Sequence, residues 1–184
     1  MILPGVIASS GGLASSFESI ATTTLTTSTA SITFSSIPST FTHLHIRSIQ
    51  RATAGAGNYG DESALTFNAD TGNNYARHNL YGDGASAGAG GTGTNAQISL
   101  AVCPRTSVLA NSFGVGVIDI LDYRNTNKYK TVRSLTGWDA NGSGVIIFES
   151  GVWMNTNAIT SITLTAYNTA FAQYSSFALY GIKA

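Results

Sequence analysis

The amino-acid sequence predicts an all-β fold: an antiparallel β-sandwich, jelly-roll-like, preceded by a short extended N-terminal arm. Three observations point there. Residues 113–153 read as three strands (113–121, 128–137 and 145–153) joined by two tight polar connections. Consecutive strands with short connections form an antiparallel meander, and a meander that buries one face needs a second sheet against it. Roughly nine or ten such strands punctuate the chain, and no stretch keeps a helical period beyond a turn or two. A length of 184 residues suits one domain, here two four-stranded sheets plus extras.

The elements follow in order. Residues 1–16 form an arm of short apolar groups broken by Pro4, Gly5, Gly11 and Gly12, and residues 17–184 form the sandwich domain. Ile2, Leu3, Val6 and Ile7 need cover, which makes them the expected assembly contact; a free terminus is the competing reading. A first strand covers 17–24, and a Thr-rich ribbon over 22–29 favours a sheet edge or turn. Residues 30–37 make a short strand stopped by Pro38, which removes a backbone donor. In the strand over 42–50, Leu44 and Ile46 point one way while His43, His45 and Arg47 point the other. A Gly/Ala loop at 51–61 leads to strands at 63–68 and 75–81, separated by a polar turn at 70–74.

Residues 82–94, GDGASAGAGGTGT, hold six glycines and no large side chain, and are expected to form a long exposed loop. The glycine spacing does not match a phosphate-binding loop, and no Lys-Ser/Thr follows it. A strand over 97–103 ends at Pro104, the meander follows, and strands at 158–167 and 174–182 complete the chain. In these last two, Ile162 and Leu164 alternate with Thr163 and Thr165, and Phe177 and Leu179 face opposite Ser176, Ala178 and Tyr180.

Charged residues make up only 10% of the chain, against about 25% in an average soluble domain. The formal net charge is zero, which gives no basis for electrostatic capture of nucleic acid or an anionic membrane. It also leaves little repulsion between copies, which is compatible with an assembly; an extracellular Ser/Thr-rich surface is the competing explanation. No apolar run approaches the roughly 20 residues of a membrane span. The amino end has no Lys or Arg and has Pro and Gly inside its apolar run, unlike a secretory signal. If the protein works outside a cell, it is expected to leave by lysis or inside a particle. Cys103, the single cysteine, is expected to be a buried structural thiol.

Chemistry is sparse. His43 and His45 share a strand face, but His78 is the only other histidine, so a polar pair on a solvated or intersubunit face outweighs a metal site. Asp119, Asp122, Asp139 and Glu149 invite a glycosidase reading. An ion pair between Asp119 and Arg133 on the neighbouring strand is the expectation instead. Asp139, Asn141 and Gly142 read as a turn rather than a calcium loop. No serine sits in G-x-S-x-G. No catalytic residue, cofactor or metal is expected. Tyr123, Tyr129 and Trp138 lie near the meander's connections and are the best exposed candidates to stack on a sugar, although such aromatics serve equally well as core and subunit contacts.

The runs FESIATTT, ITFSSIPSTFTHLHIRSI, FNADTGNNYARHNLYGDG, IDILDYRNTNKYKTVRSLTGWDANGSG, SGVWMNTNAITSITLT and FAQYSSFALYGIK together resemble a group of virion structural proteins of tailed bacteriophages, over residues 17–183. The resemblance implies a non-enzymatic particle component with two alternative roles. In the first, the protein is a capsid decoration or cement protein on the outer capsid surface. Its partners are then the major capsid protein and copies of itself, as a homotrimer or another homo-oligomer. In the second, it is a tail-fibre or receptor-binding component that contacts tail proteins and a host surface glycan. The chain carries no fibrous shaft and no coiled-coil heptads, which favours decoration. Neither role involves nucleic acid or membrane insertion.

Overall fold

Strands that alternate apolar and polar residues bury one face and leave the other open, and several strands of this chain are of that kind. The computed structural model describes residues 16–54, 61–167 and 169–183. The described residues form twelve strands: β1 (Phe17–Thr24), β2 (Ser31–Phe34), β3 (His43–Gln50), β4 (Asp61–Phe67), β5 (Tyr75–Gly82), β6 (Ala87–Asn95), β7 (Ile98–Cys103), β8 (Gly114–Leu121), β9 (Lys130–Asp139), β10 (Gly144–Trp153), β11 (Ile162–Ala166) and β12 (Ser176–Ile182). An eight-stranded sheet runs β1-β12-β3-β8-β9-β10-β5-β6, and a four-stranded sheet runs β2-β11-β4-β7. Every pairing is antiparallel. The fold is an all-β sandwich of two packed sheets. The arm residues Ile2, Leu3, Val6 and Ile7 lie outside the described residues.

Pairing is nested. β1 lies beside β12, and β2 beside β11; β3 then sits between β12 and β8, and β4 between β11 and β7. The hairpins β9–β10 and β5–β6 extend the first sheet beyond β8. The meander stands as read, with β8, β9 and β10 adjacent in order. Its second connection closes through Ala140 N–H to Ser143 O at 2.8 Å and Asn141 N–H to Asp139 Oδ1 at 2.9 Å. Asn141 (φ 56°) and Gly142 (φ 110°) take the left-handed backbone that a tight turn needs there.

The core lies between the sheets. Leu44, Ile46, Ile118, Ile120, Val132 and Leu179 come from the larger sheet and Leu65, Ile98, Leu100, Ile162 and Leu164 from the smaller, all buried. At one end Phe67, Tyr75 and Trp153 form an aromatic cluster with ring centroids 5.4–6.4 Å apart. Asp70 ties it down: its Oδ2 accepts from Trp153 Nε1 and Asn74 Nδ2, each at 2.8 Å, and its Oδ1 accepts from Gly72 N–H at 2.9 Å. The hydrogen bond from Asn74, then that from Gly72, holds this carboxyl below the usual carboxylate range. Cys103 is buried.

The expected loop over 82–94 is corrected by β6. Its backbone pairs with β5, and a ladder of backbone hydrogen bonds requires no side chain. Side chains of β5 lie across three glycines of β6, Gly88, Gly90 and Gly91. A Cβ on Gly88 would come within 2.5 Å of the Tyr81 ring, and one on Gly91 would meet the His78 imidazole. The absence of side chains there lets the Tyr81 and His78 rings lie over the strand.

Candidate functional site

The largest feature not explained by the core is the outer face of the eight-stranded sheet. β3, β8, β9 and β10 each bury one parity and expose the other, yet much of the exposed parity is also apolar. Register aligns these residues into rows across the strands. One row runs Ile49, Val115, Gly137, Ile146, Gly82; the next runs Arg47, Val117, Leu135, Phe148, Leu80. Ile49, Val115, Val117, Leu135, Ile146, Phe148 and Leu80 are each 40–61% exposed. Together they present on the order of 700 Å² of contiguous apolar residue surface, above the roughly 300–600 Å² of the largest patch on a typical monomer. An apolar depression of about 320 Å³ lies beside Leu80, Ala89 and Phe148.

The face has a polar border. The next row places His45, Asp119, Arg133, Ser150 and His78 in register. Asp119 and Arg133 are cross-strand partners, as expected, but they form no ion pair. Asp119 Oδ1 instead bonds His45 Nδ1 at 2.7 Å, from the strand on its other side. His43 Nδ1 accepts the Asp122 N–H at 3.0 Å. Asp122 also pairs with Lys128, and the bond from Lys128 is the main cause of its lowered pKa. Among the described residues no group of three or more His, Cys, Asp or Glu is placed to hold a metal.

The three aromatics expected to face a glycan separate. Tyr129 is 54% exposed, but Tyr123 is 1% and Trp138 7% exposed, which corrects the expectation for those two. Tyr123 follows the left-handed turn at Asp122 and folds inward, its hydroxyl donating to Pro38 O, and burial pushes its phenol pKa up. Trp138 has the parity of Val132, Ser134 and Thr136 and so points between the sheets. Counting by two from Val132 was the available signal. Lys130, on the same parity, is fully buried, and its ammonium donates to Asn125 O (2.7 Å), Lys128 O (3.0 Å) and Thr156 O (2.9 Å). That ammonium organises the connection before β9.

A second, polar site lies at the open end of the sandwich. An open depression of about 430 Å³ is lined by Glu62, Arg77, Thr92, Asn95, Gln97, Ser99 and Tyr167. Behind it Arg77 Nη1 donates to Glu149 Oε1 at 3.2 Å, and Ser99 Oγ donates to Glu62 Oε2 at 2.9 Å. Glu149 is 3% exposed. Burial pushes its carboxyl up to about 7; Arg77 opposes the shift and Glu62 adds to it.

The chain matches no family model, no curated protein and no solved structure. Its function is therefore argued from these two surfaces.

Proposed function

We propose that this chain is a non-enzymatic structural protein of a tailed-bacteriophage virion, a decoration or cement protein that stabilises the head from its outer surface. The observation that carries the reading is the uncovered apolar ladder on the eight-stranded sheet. A surface of that size is unfavourable in water and suits a protein whose working state is an assembly. The partners are the major capsid protein and copies of the chain, with the arm at residues 1–16 touching the shell. A jelly-roll winding belongs to the same reading. Without β5, β6, β9 and β10, the strand orders β1-β12-β3-β8 and β2-β11-β4-β7 are two four-stranded sheets with first paired to last.

The test is head stability. Particles carrying the protein are expected to release their genome at a higher temperature than particles stripped of it, and adding back the full chain restores the difference. A chain lacking residues 1–16 is expected to restore less. Equal release temperatures with and without the protein sink the cement role.

The polar depression around Arg77 favours a second reading, a tail component that recognises a host surface glycan. Arg, Glu, Asn and Gln side chains offer paired donors and acceptors for sugar hydroxyls, and Tyr167 an aromatic face. Binding of the purified chain to a glycan array, lost in Arg77→Ala, supports it. A blank array leaves decoration alone.

A further inference from the structure

We infer that the outer face of the eight-stranded sheet is buried against a second copy of this chain, so that the protein's soluble unit is a homo-oligomer. The inference deepens the assembly role proposed above and names the surface and its occupant.

Area is the first argument. The ladder presents on the order of 700 Å² of apolar residue surface, close to the roughly 800 Å² per partner of a standard specific interface, before any border residue is counted. Shape is the second. In the first row Gly137 lies between Val115 and Ile146, and Gly82 lies beyond Ile146, so the row carries two gaps beside its projecting side chains. A surface that carries both knobs and gaps in one row can receive its own likeness. The depression beside Phe148 and Leu80 is a further gap of the same kind.

Charge is the third argument, and it selects the occupant. An interface to an oppositely charged partner has one sign along its rim. Here the border row carries Asp119 and Arg133 side by side, and Arg133 forms no ion pair within the chain among the described residues. A border with both signs complements another copy of itself. The formal net charge of zero means that no long-range repulsion opposes association of identical chains. A membrane surface is the poorer fit, since the face lacks the cationic border that anionic lipid selects.

The experiment is the molar mass of the purified full chain, measured by light scattering during gel filtration at micromolar concentration, with no particles present. The wild type is expected at a multiple of 19.1 kDa. Leu135→Glu and Phe148→Glu, each placing a carboxylate in the middle of the ladder, are expected to weaken association by about a hundredfold or more and to elute as monomers. Both positions face outward, so the far-UV spectrum and the protection of the β11 and β12 amides are expected to match wild type. Leu135→Ala serves as the milder variant should either glutamate misfold, with a partial loss of association. A wild-type mass of 19.1 kDa overturns the inference, as does an unchanged oligomer in the folded glutamate variants. Since no particle enters the measurement, its outcome is separate from that of the head-stability test.

Discussion

Replacing Glu149 by Gln is expected to remove a specific pH dependence of stability. The carboxyl is 3% exposed, and its pKa rises from an ordinary 4.5 to about 7, chiefly because burial penalises the ionised form. Between those values the folded chain keeps a proton that the unfolded chain has already released. Stability from this group is therefore complete below about pH 4.5, falls as pH rises, and levels off above about 7. At 1.36 kcal/mol per pKa unit the loss is about 3 kcal/mol, or roughly 6–12 °C in melting temperature for a domain of this size. Glutamine has nearly the same shape and still offers Arg77 an acceptor, but it does not ionise. Wild type and Glu149→Gln are thus expected to melt together near pH 4.5, with the variant increasingly the more stable up to about pH 8. A gap that does not change with pH, or one that favours wild type at alkaline pH, refutes the reasoning.

Other substitutions test the packing that holds the two surfaces in place. Lys130→Met keeps the buried stem but leaves the carbonyls of Asn125, Lys128 and Thr156 without their donor, and is expected to cost about 3–5 kcal/mol in urea unfolding. A loss under about 1 kcal/mol means that those carbonyls find other partners. Gly181→Ala drives a methyl into the ring of Phe41, which is buried at 5% exposure and cannot yield, for an expected loss of about 1–3 kcal/mol. Gly88→Ala makes a similarly close contact with Tyr81, but that ring is 42% exposed and can swing aside, so the change is expected to stay within about 0.5 kcal/mol. Equal losses at the two glycines contradict this account of why they are there.

Period-two alternation made most of the core legible. Leu44 and Ile46 opposite His43 and His45, Phe177 and Leu179 opposite Tyr180, and Ile162 and Leu164 between threonines are buried as their spacing implies. The β6 strand was hidden because its pairing depends on backbone alone, and glycine looks the same in a loop and beneath a neighbouring tyrosine. Trp138 and Tyr123 lie close to turns in sequence yet are buried. Parity puts the first inside, and a left-handed residue at Asp122 turns the second inward. The ladder itself left a trace in the sequence. β8 carries Val115 and Val117 on one parity and Ile118 and Ile120 on the other, and β10 has consecutive Ile146, Ile147 and Phe148. Apolar residues on both parities indicate a strand covered on both faces. Among the described residues only one of those faces is covered.

Imaging phage particles that carry the protein, at a resolution that shows individual strands, tests the proposed decoration role most directly. A decoration protein gives regular density on the outer head surface, with the eight-stranded sheets of neighbouring copies turned toward one another. Density confined to the tail, or a head-bound copy whose Leu135 and Phe148 face open solvent, contradicts the assignment.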